Sequence, residues 1–337
     1  MLKGIYGVLI GMLLVMLVMY AGLIMGKNKD TEQQARVDNP RYHLQLIVQS
    51  TNENFLTNFR EGAKKAGEED GVYVELVTLK QLNVNALKEA VEMGVNASVD
   101  GIALQAADIN QTRQIIEAAK KQGIAIMTYE NNNYPVSDTP AVGTNSYNLG
   151  YYAANMAVEA TGGKANVAVI INNEGNDGEE EYKNNIIQGI LDSFDAFSTM
   201  EIPEDSIYTV DTDMFEAEEI ASHIINKADK PDLIICMDEK CTPGIAQIFV
   251  DNNLVGDIKI VGYGVTKQTL DYIDHGVIYG IVCPDANEIG YDTVKQLVQS
   301  LDGEPISGTV STGLYTIDRD NVRDFLEKWN MNKRAGE

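Results

Sequence analysis

Relative to its size, this 337-residue chain has little positive charge. It has 26 Lys and Arg against 50 Asp and Glu, for a net charge of −24 and a pI near 4.4. A phosphate backbone would be repelled, so nucleic acid is excluded as a partner. Histidine is scarce as well: His43, His223 and His275 stand in unrelated places and read as surface residues rather than bases. The three cysteines Cys236, Cys241 and Cys283 lack the partners and spacing of a zinc site. They read as small buried apolar residues, with a disulfide between two of them as the alternative. HExxH, GxSxG and Walker A sequences are all missing, and Gly262-Tyr263-Gly264 is a lone GxG without a third glycine. The acidic run at 177–181 does not follow the calcium-loop spacing and suits a helix start, where the helix dipole favours acids. The expectation is a protein that is not an enzyme and carries no cofactor and no metal.

Charge is missing altogether from 5–25, a 21-residue run long enough to cross about 30 Å of hydrocarbon as a helix. A cleavable signal peptide would have a shorter apolar region and a better small-x-small site than Tyr20-Ala21-Gly22. No cysteine lies here, which removes the lipid attachment of a bacterial lipoprotein. The stretch 1–26 therefore reads as an uncleaved transmembrane signal anchor, and 27–41 as a polar, flexible tether. Flanking charges are nearly balanced and do not set the orientation.

What the rest of the chain does have is alternation. Short apolar runs such as Leu44-Gln45-Leu46-Ile47-Val48, Gly101-Ile102-Ala103-Leu104, Val167-Ala168-Val169-Ile170-Ile171 and Leu233-Ile234-Ile235-Cys236 are each followed by an amphipathic helix. Continuous apolar runs suit strands covered on both faces, and strand–helix alternation makes a parallel sheet. Helical spacing sets Phe55, Phe59, Ala63 and Ala66 on one face, Leu87, Val91 and Val95 on another, and Ile186, Ile190 and Phe194 on a third. A polar loop, Asn131-Asn132-Asn133-Tyr134-Pro135, breaks the pattern before it resumes after Thr144. Two sheets of about five strands, with a boundary near 141–145, fit better than one long sheet. The fold class is α/β: two doubly wound parallel-sheet lobes behind an N-terminal transmembrane helix. Such sheets bind ligands at the carboxyl ends of their strands, so a cleft between the lobes is the expected site.

Seven stretches taken together carry a resemblance. They are Asn54-Phe55 with Phe59, Gly62 and Ala63; Val99-Asp100-Gly101-Ile102; the run 123–130; Val142-Gly143-Thr144-Asn145; Pro231-Asp232 through Asp238-Glu239; Ile260-Val261-Gly262-Tyr263-Gly264; and Pro284-Asp285-Ala286-Asn287. In this order the chain from 42 to 322 resembles a type I periplasmic binding protein of the ribose/galactose-binding group. Lactose-repressor-type regulators share that fold, but no helix-turn-helix precedes it here. The resemblance implies a three-strand hinge near 141–145, 284–287 and 311–313. It divides the chain into one lobe of 42–143 plus 287–310 and another of 144–286 plus 311–330. It also implies that the lobes close on a ligand.

Site residues follow from the resemblance. Phe55 matches an aromatic that stacks on a sugar face, and Gln49 ends the first strand with an amide suited to hydroxyls. Glu130 matches an acidic acceptor, Asp238 a cleft residue of the second lobe, and Asp285 a polar hinge residue. Three positions depart from the family. Asn131 and Asn184 stand where sugar-clamping arginines are expected, and Gly264 stands in place of an aspartate. With acceptors at Glu130, Asp238 and Asp285, Glu239 as a further one, and no matched cation, the pocket favours a ligand rich in donors: a sugar, amino sugar, polyol or amine. The expected role is a membrane-tethered extracytoplasmic solute-binding protein serving an ABC permease. The alternative is a ligand-sensing module beside a sensor kinase or chemoreceptor.

Overall fold

The computed structural model describes residues 39–335, apart from 50–51, 82, 131–135, 137, 173–178, 211–213 and 307. The anchor and all but the last three residues of the tether thus lie outside the described residues. Among the described residues no helix is long and apolar enough to cross a membrane.

The first half alternates as the apolar runs require: β1 (His43–Gln49), α1 (Glu53–Asp70), β2 (Tyr73–Leu79), α2 (Val84–Asn96), β3 (Gly101–Leu104), α3 (Ile109–Lys120), β4 (Ala125–Tyr129) and β5 (Ala141–Thr144). A second series follows: α4 (Ser146–Thr161), β6 (Lys164–Asn172), α5 (Glu179–Phe194), β7 (Thr199–Glu201), β8 (Ile207–Val210), α6 (Met214–Asn226), β9 (Leu233–Met237), α7 (Cys241–Asp251), β10 (Lys259–Tyr263), α8 (Lys267–Asp274) and β11 (Gly280–Pro284). The chain ends with α9 (Ala286–Leu301), β12 (Thr309–Thr312), β13 (Leu314–Asp318) and α10 (Val322–Ala335).

Local chemistry sets the helix ends. Asn52, Asn83, Asp108 and Asn145 each cap a helix by accepting the backbone N–H three residues on. Gly71 closes α1 in the left-handed region, at φ 65°, where a Cβ would be strained.

The strands form two sheets. One has the order β12-β5-β4-β3-β1-β2 and is parallel throughout. The other runs β13-β11-β10-β9-β6-β7, with β8 also paired to β6; only β13 is antiparallel, to β11. The chain leaves one sheet for the other after β5, after β11, and at Gly313 between β12 and β13. That single-residue passage leaves no room for a crossover helix. The sheets have six and seven strands rather than about five. The additional strands β7, β8, β12 and β13 are short and largely solvent-facing, so they carry no continuous apolar run.

Each sheet is covered on both faces. In the first lobe Phe59, Ala63, Ile289 and Leu297 of α1 and α9 pack on Leu44, Leu46 and Val48, while Leu87, Val91 and Ile116 pack on Ile47, Ile102 and Leu104. In the second, α4 and α5 cover Val167, Val169 and Ile171, and α6, α7 and α8 cover Ala168 and Ile170.

Tyr129, fully buried at the end of β4, ties this core to its neighbours. Its ring lies 4.9 Å from that of Phe59, and its hydroxyl donates to the Ile47 carbonyl at 2.7 Å. Tyr129→Phe should cost about 1–2 kcal/mol, read by urea unfolding, because a buried carbonyl loses a partner. An unchanged midpoint would mean that this hydrogen bond contributes nothing.

Candidate functional site

A cavity of about 580 Å³ lies where the carboxyl ends of the two sheets meet. The first lobe supplies Val48 at the end of β1, Asn52, Phe55, Asn58 and Glu61 of α1, then Gln105 after β3 and Glu130 after β4. The second supplies Glu239 after β9 and Tyr263, Gly264 and Val265 at the end of β10. The sheet-to-sheet passages add the stretch Cys283, Pro284, Asp285, Ala286 and Asn287, together with Tyr315; Phe325 and Lys328 of α10 complete the lining. This is the place where parallel sheets leave strand ends open to a ligand.

Glu130 is held in an unusual way. It follows β4 with φ 47°, a conformation non-glycine residues rarely adopt. The strand ladder fixes it, because its N–H donates to the Val142 carbonyl at 2.9 Å. Its Oε1 accepts from the Thr144 N–H at 2.8 Å and the Thr144 hydroxyl at 3.1 Å. Gly143 leaves the space for this, since a Cβ there would come within 3.0 Å of Oε1. Burial pushes the Glu130 carboxyl above the ordinary range and the two Thr144 donors pull it back; burial is the larger effect.

Opposite, Glu239 lies against Gly264, whose φ of 83° and missing side chain let the acid fold over it. Asn52 Nδ2 donates to Glu239 Oε1 and reaches the Val265 carbonyl at 3.5 Å, so one amide links the two lobes across the cleft. Burial, reinforced by the neighbouring Asp238 charge, pushes Glu239 up to about 7. Burial also raises the Cys283 thiol to about 12, and all three cysteines are free and buried, without a disulfide.

The sequence-predicted residues fall in different places. Phe55, Glu130, Gly264 and Asp285 line the cavity. Asp285 is also committed elsewhere: its Oδ1 caps α9 by accepting from Asn287 N and Glu288 N at 3.0 Å. Asp238 is not in the lining. It is 5% exposed, accepts from Lys240 N and Cys241 N at the start of α7, and takes the Asn172 amide at 2.9 Å. Both of its oxygens are engaged within the second lobe, and the adjacent Glu239 is the residue that reaches the cleft. Asn184 is exposed on α5 and also outside the lining. Gln49 ends β1, but its side chain, like Asn131, lies outside the described residues. The sequence did not mark Asn52, Gln105 or Tyr315 as lining residues, and Tyr263 stood out there only as part of the stretch ending in Gly264. The signal at Asn52 was its capping position, and at Gln105 its place directly after a buried strand.

Two doubly wound lobes with one cavity at their facing strand ends define a two-lobed binding protein of the α/β class. The chain belongs to the periplasmic binding protein family, whose domain it matches over 44–305, well over half its length. Members of that family are binding proteins rather than enzymes.

Solved structures agree on the fold. GanP, a glucose-galactose binding protein from Geobacillus stearothermophilus, is 23% identical over 83% of this chain and 98% of its own, with a TM-score of 0.71. AraP, an arabinose binding protein from the same organism, is 20% identical over 85% and 99%, with a TM-score of 0.75. XylFII, solved in a complex with LytSN, is 21% identical over 82% and 98%, with a TM-score of 0.65. At these identities the likeness is one of fold. No curated protein sequence matches the chain.

Proposed function

We propose that this chain is an extracytoplasmic solute-binding protein that closes its two lobes on a sugar-sized ligand and presents it to an ABC permease. The observation that carries the reading is the cavity of about 580 Å³ at the strand ends, walled on one side by Phe55 and Glu130 and on the other by Glu239 and Tyr263. Phe55 offers an apolar ring for the C–H face of a pyranose. Among the described residues Glu130 Oε2 has no hydrogen-bond partner, which leaves it for a ligand hydroxyl. The glucose-galactose and arabinose binding proteins of the same fold support a sugar as ligand. Lobe closure would use the passages at Asn145, Asp285 and Gly313 as the hinge. The apolar stretch 5–25 would tether the protein to the cell membrane with the lobes outside.

A second reading is a receptor that reports its ligand to a partner protein, such as a sensor kinase or a chemoreceptor. The XylFII–LytSN complex favours it, since that structure has this fold assembled with a second protein. Titration calorimetry of the full-length protein in detergent against a panel of monosaccharides tests the binding role common to both readings. The expected result is at least one ligand of micromolar or tighter affinity. Silence across neutral and amino sugars alike would refute both. Glu130→Gln should then weaken that ligand at least tenfold, the scale of one charge-assisted hydrogen bond of about 1.5–3 kcal/mol. Undiminished affinity would take Glu130 out of the site.

A further inference from the structure

The cleft's polar groups are unevenly divided. Four carboxylates line it among the described residues, those of Glu61, Glu130, Glu239 and Asp285, and the one cationic side chain in that lining is Lys328. Lys328 is exposed and sits over the Phe325 ring, 5.7 Å from its centroid. Of the five side-chain amides in the described lining, four already donate inside the protein, and Asn54 is the fifth. Asn52 Nδ2 goes to Glu239, Asn58 Nδ2 to the Asn54 carbonyl at 2.8 Å, Gln105 Nε2 to the Glu130 carbonyl at 3.3 Å, and Asn287 Nδ2 to the Asn58 carbonyl at 3.3 Å. Beside the carboxylates the described wall keeps few donors, the Asn54 amide and the Tyr263 and Tyr315 hydroxyls among them, and only one cation.

Glu239 is the most exacting of these groups. Its hydrogen-bond partners are the neutral Asn52 amide and the Val265 backbone, and Asp238 is beside it. Among the described residues it forms no ion pair, although the Lys240 charge acts on it. A carboxylate withdrawn from water without a paired cation is costly, and it can be relieved by a proton or by a cation from outside. Glu130 adds a second acceptor, hemmed in by protein yet lining the same cavity, with no partner for Oε2 among the described residues.

We propose that the ligand brings the missing charge: a protonated amino sugar, its ammonium seated against Glu239 and its hydroxyls on Glu130, in preference to the neutral sugar of the same shape. This rests on the binding-protein reading above and specifies its ligand class. An ammonium offers donors that match the open acceptors, and it neutralises a buried charge, which a hydroxyl cannot do.

The test is titration calorimetry at pH 7 of the full-length protein with three matched sets: glucosamine, galactosamine and mannosamine, each beside its parent sugar and its N-acetyl derivative. At least one amine should bind tenfold or more tightly than both counterparts, and Glu239→Gln should bring that ratio close to one. Parent sugars that bind as tightly as the amines would overturn the proposal and leave the solute-binding reading standing. An amine preference that survives intact in Glu239→Gln would also overturn it, because Glu239 would not be its source. Failure of all nine compounds would remove both.

Discussion

Gly62→Ala is expected to destabilise the first lobe by about 3 kcal/mol or more, the upper range for an overpacked contact that cannot relax. The Cβ of such a variant would lie far inside the van der Waals contact distance of the Asn287 carbonyl oxygen and 2.8 Å from its carbon. A backbone has no rotamer to change, so α1 and α9 would have to separate. The contact is reciprocal, because a Cβ at Gly290 would strike the Phe59 carbonyl in the same way. The second lobe repeats the arrangement, with Gly150 against the Ile186 carbonyl and Gly189 against that of Tyr147. In all four cases the glycine stands three residues after the carbonyl that the facing glycine meets. Each lobe thus joins its paired helices through two close glycine–carbonyl approaches, a geometry suited to Cα–H···O contacts. Gly290→Ala, Gly150→Ala and Gly189→Ala should behave like Gly62→Ala in thermal unfolding. By contrast Gly303→Ala, which would meet nothing within 4 Å, should show only the smaller cost of its φ of 77°. A Gly62→Ala melting temperature equal to that of wild type would show that the helix pair yields without cost.

That helix pairing marks the limit of what was legible in the sequence. Buried strands announced themselves, because residues such as Ile234, Ile235 and Ile260 have no exposed face and read as apolar runs. The helix faces through Phe59, Leu87 and Ile186 were equally plain, since burial on one side leaves a 3.6-residue period. The glycines at 62, 150, 189 and 290 carry no side-chain signal, and their role exists only between elements distant in the chain. The same holds for the cleft. Glu130 could be placed by the strand that precedes it, yet the choice between Asp238 and Glu239 depends on which of two adjacent side chains turns outward. Asp238 turns back to the first amides of α7. A short acid at a helix start does this readily, as its oxygen reaches the N–H groups two and three residues on. The longer Glu239 is left to project into the cavity, over Gly264.

The same projection gives the unliganded protein a pH dependence that one substitution should remove. Glu239 is raised from 4.5 to about 7, by burial first and the Asp238 charge second; the Asn52 amide, the Val265 backbone and Lys240 act against the shift. Tyr263 and Cys283, the titratable groups facing it from β10 and β11, stay neutral through this range because burial raises both. Between about 4.5 and 7 the folded chain therefore keeps a proton that the unfolded chain has released. More protons bound in the folded state means that stability falls as the pH rises through that window, and levels off above it. The loss attributable to this group is about 3 kcal/mol at most, by the conversion of a pKa shift to free energy. Glutamine at 239 can accept from Asn52 in the same way but never ionises. Glu239→Gln should accordingly match wild type near pH 5 and exceed it near pH 8, so that the variant is the more stable protein under alkaline conditions. Glu130, also raised by burial, remains in both proteins, and the difference between their profiles isolates Glu239. Denaturant unfolding at intervals from pH 5 to 8 measures it, and parallel profiles would show that Glu239 ionises in the fold as freely as in water. Saturation with a cationic ligand should bring the wild-type profile toward that of the variant, since the ammonium would stabilise the ionised carboxylate that the empty cleft leaves uncompensated.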